Sequence, residues 1–189
     1  CWNISQISTL SFFGNKTITT GEGGMILTND YSKYKKLLKL RNQGNSDKIR
    51  YYHDILGYNY RMTNIQAAIG VGQMSKIDEI IKRKKSIYKY YEDELLNHVK
   101  FQKIDSNVTS SYWMVGFLLN DEFQRNALMN FLQDEGIESR PFFVQVSSMP
   151  FYEIADSKLS IQLSKRGINV PSYPELTQDD VKYICNKIK

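Results

Sequence analysis

The sequence predicts an α/β protein, and three stretches predict it. "ISTLSFF" and "GMILT", residues 7–13 and 24–28, are short apolar runs bounded by glycine and polar turn residues, which reads as two buried strands. "IQAAIGVGQMSKIDEIIKRKKSIYKYYEDELLNH" carries Ile65, Ile69, Ile77, Ile80, Ile81, Tyr88, Tyr91 and Leu95, mostly at steps of three and four, which reads as helix. From about Val99 onward, short strand and helix patterns alternate, as in a small α+β domain.

The elements follow in order. Between the first two strands, "GNKTITTGEGG" is a loop rich in glycine and threonine. Asn29 or Asp30 can cap a helix through "YSKYKKLLKLRN", with Tyr34, Leu37, Leu38 and Arg41 at helical spacing. "QGNSDKIRYYHDILGYNYRM" is a long irregular stretch, and a loop of that length in a compact domain is usually functional or poorly ordered. Thr63 or Asn64 can cap the long helical segment, which reads as one connecting helix or as two helices meeting near Gly70 and Gly72. Ser111–Leu119 is expected as a strand and 122–133 as an amphipathic helix. "GIESRPFF" contains a short strand, and a helix lies near 157–166. "INVPSYPEL" is extended because of its prolines, and Thr177 caps a last helix over 178–188. The expected organisation is therefore residues 1–62 as part of a large domain, 63–98 as a connecting helix, and 99–189 as the small domain.

Composition excludes several classes. No apolar run approaches the roughly 20 residues of a membrane-spanning helix. The opening "CWNISQISTL" has no basic region ahead of an apolar stretch, so it does not read as a signal peptide, and the chain is expected to begin within a longer sequence. Two cysteines, Cys1 and Cys185, supply no disulfide framework. His53 and His98 supply no metal-ligand spacing, so no metal is expected. A reducing cytoplasm is the expected compartment. The net charge of +5 comes largely from "KYKKLLKLR" and "KRKK", which read as solvated helix faces; no nucleic-acid motif accompanies them. Tyr88 and Tyr91 read as packing residues, His53 as a residue that positions its loop, and Cys185 as a small buried side chain.

Lys16 stands alone in the first loop. An amine becomes a nucleophile when burial or a nearby cation strips its proton, and a lysine just past a strand end can be held at a pocket floor. Glycines on both sides allow close backbone approach, and Ser11, five residues earlier, can offer a hydroxyl to a phosphate. Spacing alone leaves a solvated surface lysine as the commoner reading. The loop is not a P-loop, because "GxxxxGK[ST]" is absent, and there is no "GxGxxG".

"SFFGNKTITTGEGGMILTND" resembles the lysine motif of the DegT/DnrJ/EryC1/StrS sugar-nucleotide aminotransferases, a fold-type I pyridoxal-phosphate family. "HDILGYNYRMTNIQAAIG" resembles the family's second signature. "SYWMVGFLL", "GIESRPFF", "MPFY" and "GINVPSYPELTQDD" resemble its C-terminal blocks, in order and across essentially the whole chain. The resemblance implies an α/β fold in which this chain supplies the end of the large-domain sheet, the long connecting helix and the small α+β domain.

The resemblance also implies roles. Lys16 matches the lysine that forms the internal aldimine with pyridoxal 5'-phosphate and then shuttles the substrate proton. Ser11 matches a hydroxyl that binds the cofactor phosphate, and Asn59 an asparagine that reaches the phosphate in the neighbouring subunit. Glu22, Arg61 and Arg140 match positions on the substrate side. The implied reaction moves an amino group from glutamate to a nucleotide-linked 4-keto-6-deoxy sugar, in a homodimer with shared active sites, with neither nucleic acid nor membrane as partner. A lysine at position 16 separates the chain from the family's dehydratase branch, which has histidine there. Two departures stand out. Family members are roughly twice as long, and their upstream half holds the aspartate that pairs with the pyridinium nitrogen, so this stretch alone is expected to be inactive. Ser147 also stands where a histidine is usual. The alternative expectation is a relative that keeps the fold without turnover.

Overall fold

β1 (Ser8–Ser11) and β2 (Gly24–Leu27) form an antiparallel ribbon, with Ser8 opposite Leu27 and Ser11 opposite Gly24. The structure is a computed structural model describing residues 4–152 and 157–189, so Cys1 lies outside the described residues. Both strands were expected to be buried, yet Leu10, Met25 and Ile26 remain 45–49% exposed. The reason is geometric: a two-stranded ribbon buries its side chains only when something is laid on its faces.

The chain divides into two units, the first ending at Ile77 and the second running from Asp78 to Lys189. In the first, the ribbon leads into α1 (Tyr31–Arg41). Asp30 caps α1, accepting the Lys33 amide at 3.1 Å, and Lys33 Nζ also lies 2.5 Å from its Oδ2. The Lys33 ammonium therefore holds the Asp30 carboxyl below its ordinary range. The long irregular stretch is folded back on the end of α1: Tyr58 N–H donates to Leu40 O (2.7 Å), Gln43 N–H to Tyr58 O (2.9 Å) and Tyr60 N–H to Arg41 O (3.0 Å). Its turn needs Gly44, which has φ +68°, and a Cβ there would sit 1.9 Å from Ile55 O. His53 Nδ1 lies 2.8 Å from Gln43 O, so the ring donates to that carbonyl and positions the loop as expected.

Of the two readings of the long helical segment, the structure has two helices, α2 (Asn64–Met74) and α3 (Ile77–Leu95), rather than one connecting helix. They part at Ser75–Lys76, while Gly70 and Gly72 lie inside α2. Thr63 and Gln66 form a capping box at the start of α2.

In the second unit four strands, all antiparallel, lie in the order β3 (Lys100–Phe101), β4 (Val115–Leu118), β6 (Gly167–Val170), β5 (Arg140–Pro141). The expected strand 111–119 is shortened to its last part, and "INV", expected only as extended chain, is an inner strand. Val115 opposes Val170 and Phe117 opposes Ile168, which makes one buried face. Packed into the same core are Ile87, Tyr91 and Leu95 of α3, Leu132 of α4 (Glu122–Asp134), and Val181, Ile184 and Cys185 of α6 (Gln178–Ile188). The spacing 87, 91, 95 is one helical stripe. The segment after β6 is tied to α3 by side chains reaching its carbonyls. Tyr91 OH donates to Pro171 O (3.0 Å), Lys84 Nζ to Ser172 O (2.7 Å) and Arg83 to Pro174 O (3.1 Å) and Leu176 O (3.0 Å). Prolines at 171 and 174 remove backbone donors here, so the carbonyls take side-chain partners instead. The remaining helix is α5 (Lys158–Arg166).

Candidate functional site

Lys16 lies in the β1–β2 loop, half-buried, four residues before the buried Thr20. The loop closes above the ribbon through Phe12 N–H to Gly23 O and Thr20 N–H to Phe12 O, each 2.9 Å. A turn then brings the Lys16 amide to Phe13 O at 3.0 Å. The threonines tie the remaining backbone. Thr19 Oγ1 donates to Phe12 O (3.0 Å) and accepts from Gly21 N–H (2.9 Å), while Thr20 Oγ1 donates to Glu22 O (2.8 Å). Short hydroxyl side chains bond nearby backbone groups readily, and here they replace the ladder that the loop lacks.

One face of α2 lies against this loop. Gln73 Oε1 accepts the Thr19 amide at 2.8 Å, and Gln66 Nε2 donates to Glu22 O at 3.0 Å. Between them a Cβ on Gly70 would sit 3.0 Å from Thr20 Cγ2. Positions 66, 70 and 73 are four and three residues apart, one side of a helix. Gln66 is used at both ends, since its Oε1 accepts from Thr63 N–H (2.9 Å) in the capping box.

The other expected residues fall as follows. Ser11 ends β1, and its Oγ accepts the Phe13 amide at 3.4 Å. Glu22 meets α2 through its backbone carbonyl, and its side chain is exposed. Asn59 pairs with Asn42 in an isolated bridge on the end of α1. Arg61 is exposed, two residues ahead of the Thr63 cap, and the intervening Met62 reaches the space beside Gly23. The structure thus brings the "GEGG" and "RMTN" stretches together at the start of α2.

Arg140 belongs to the second unit, on β5, where its guanidinium is ion-paired with Glu138 and both side chains are exposed. In the segment that follows β5, an open pocket of about 560 Å³ is bordered by Phe142, Gln145, Ser147 and α5. Ser147 Oγ lies 3.1 Å from Ser157 Oγ, and Ser164 Oγ donates to Gln145 Oε1 at 3.0 Å. A hydroxyl pair therefore stands where the resemblance implies a histidine.

A sequence profile of the DegT/DnrJ/EryC1/StrS aminotransferase family matches residues 3–189. The chain belongs to this family. It is 47% identical over 193 residues to GDP-perosamine synthase of Vibrio cholerae, covering 98% of this chain and 53% of that protein. It is also 47% identical over 187 residues to GDP-perosamine synthase of Escherichia coli O157:H7, covering 98% of this chain and 51% of that protein. The fold matches the crystal structure of the aminotransferase TlmJ from Streptoalloteichus hindustanus with a TM-score of 0.90 at 20% identity, over all of this chain and 52% of that one. The chain thus spans about half the length of the curated relatives it matches.

The residues present fit the family's cofactor, pyridoxal phosphate. Lys16 carries the kind of group, a primary amine, that condenses with its aldehyde carbon. The Ser11 oxygen accepts from Phe13 N–H, which leaves the hydroxyl proton to donate to a phosphate oxygen. Gly21, at φ +78°, has open space where a Cβ would stand, so a ligand can approach the backbone there. Sequence reasoning missed Thr19, Thr20, Gln66 and Gln73. The signal for one of them was present: Thr63 followed three residues later by Gln66 is a capping box. Among the described residues no cluster of three or more His, Cys, Asp or Glu could hold a metal ion, and no helix is long and apolar enough to cross a membrane.

Proposed function

We propose that, in the complete protein, this chain carries the lysine of a pyridoxal-phosphate-dependent aminotransferase acting on a nucleotide-linked 4-keto-6-deoxy sugar. A GDP-linked hexose is the substrate that the two relatives at 47% identity favour, glutamate is the amino donor, and the amino sugar would go to a lipopolysaccharide O-antigen. The observation that carries the reading is Lys16, an amine on a loop pinned at Phe12, Thr19 and Thr20 within a member of an aminotransferase family. The cofactor, when bound, supplies the electron sink for carbanion chemistry. The chain's own groups do the rest. Lys16 Nζ would hold the cofactor through its aldehyde carbon and would serve as the acid and base that moves the proton at the carbon that gains or loses the amine. Ser11 donates its hydroxyl proton to the phosphate. Asn59 serves the same phosphate across a dimer, with Glu22, Arg61 and Arg140 on the sugar-nucleotide side.

The test uses the full-length protein. With pyridoxal phosphate it should show the visible band of the lysine-bound cofactor, and Lys16→Ala should lose it. Glutamate and a GDP-linked keto sugar should then give amino sugar, in preference to dTDP- and UDP-linked analogues. A wild type without the band would overturn the reading.

A further inference from the structure

We propose that the Gln66–Gly70–Gln73 face of α2 positions Lys16 by holding the segment just after it, with Gln73 as acceptor from the Thr19 amide and Gln66 as hydrogen-bond donor to the Glu22 carbonyl. The inference rests on the reading of Lys16 as the cofactor anchor. It starts from chemistry that the two glutamines use in opposite senses. Gln73 presents oxygen to the Thr19 amide at 2.8 Å; Gln66 presents nitrogen to the Glu22 carbonyl at 3.0 Å. Thr19 lies three residues after Lys16 and Glu22 six after. Between the two bonds, Thr20 is buried against Gly70, and its hydroxyl donates to the same Glu22 carbonyl. On the far side the loop is tied to Phe12 by Thr19 Oγ1 and the Thr20 amide. The segment after Lys16 is therefore fixed at three points on a rigid helix. A helix face sets a side-chain position better than a free loop can, because each bond removes a loop conformation in which the amine points elsewhere.

The opposite senses give the test. Glutamate in place of Gln73 keeps an acceptor for Thr19. Glutamate in place of Gln66 keeps the oxygen that caps α2 but replaces the donor to Glu22 with a carboxylate facing a carbonyl. Leucine removes either bond. In the full-length protein without cofactor, Gln73→Leu should raise the Thr19 amide hydrogen-exchange rate roughly fivefold or more, the size expected for losing one such bond, and Gln73→Glu should restore protection. Lys16 is then read separately, as the rate at which added pyridoxal phosphate becomes trapped on it by borohydride, located by peptide mass. Gln73→Leu and Gln66→Glu should trap it several-fold more slowly, and Gln73→Glu should recover the rate that leucine loses. Thr19 exchange unchanged in Gln73→Leu overturns the clamp. Trapping at the wild-type rate in both Gln73→Leu and Gln66→Glu overturns its role toward Lys16. A wild type that is never trapped at Lys16 overturns the cofactor reading instead, and the exchange data then still decide the clamp.

Discussion

Gln73 accepts the backbone amide of Thr19 across 54 residues of sequence, at 2.8 Å. This bond joins the first loop of the chain to the last turn of α2. A bond to a glutamine side chain is needed because the loop runs past the end of the β1–β2 ladder, and an amide there has no strand partner.

Gly70→Ala tests the closeness of that contact. Alanine gains about 1 kcal/mol of helix propensity over glycine. Against that, its Cβ would meet Thr20 Cγ2 at 3.0 Å, and Thr20 is buried with its hydroxyl engaged on Glu22 O. Overpacking at such a contact costs about 1–3 kcal/mol. The packing cost should win, with a lower denaturation midpoint and slower trapping of cofactor on Lys16.

Gly44→Ala should be more damaging. The position has φ +68°, and the new Cβ would overlap Ile55 O at 1.9 Å, a backbone atom that cannot rotate away. A loss of at least about 2 kcal/mol is expected, with faster hydrogen exchange across 43–60, which includes Asn59. Urea unfolding and exchange mass spectrometry check it.

Tyr91→Phe keeps the ring in the second unit's core but removes the bond to Pro171 O. The half-buried Pro171 carbonyl would be left without its protein donor, a loss of about 1 kcal/mol. The unfolding free energy should fall by that amount, with a correspondingly lower urea midpoint, while the ring packing, read by near-ultraviolet circular dichroism, persists apart from the lost phenol signal.

Alkaline pH should loosen the second unit. Burial, helped by the Glu94 carboxylate, pushes the Cys185 thiol up from 9.0 to about 12, and burial also raises the phenols of Tyr88 and Tyr91. A folded pKa above the unfolded one means that the folded state binds more protons between the two. Stability is then intact below pH 9 and is lost as pH rises toward about 12. Lys84 acts in the opposite sense: burial lowers its pKa, so its unfavourable contribution fades as pH rises toward 10.5. Three groups outweigh one, and denaturant midpoints should decline from pH 9 upward, less steeply in Cys185→Ala and more steeply in Lys84→Met.

Local signals were legible in the sequence. Thr177 capping the last helix, a cap at Asn29 or Asp30 for the first, Tyr91 and Leu95 on the apolar side of α3 and the burial of Cys185 were all readable from residue type and nearby spacing, whereas Ile87 on the same stripe was not picked out. The lysine motif was legible through its resemblance to the family's motif, since spacing alone left Lys16 a solvated surface lysine. Long-range placement was not. Nothing near "INV" announces that it pairs with β4 on one side and β5 on the other, since strand partners are chosen by side-chain packing from distant segments. The break at Ser75–Lys76, the ion pair that holds Arg140 to Glu138, and the exposure of β1 and β2 depend likewise on what lies beside them in space. The sequence by itself determined the family. Only the tertiary structure decided which helix face holds the lysine's loop, because Gln66 and Gln73 act on groups 44 and 54 residues away, a distance at which sequence spacing carries no geometry.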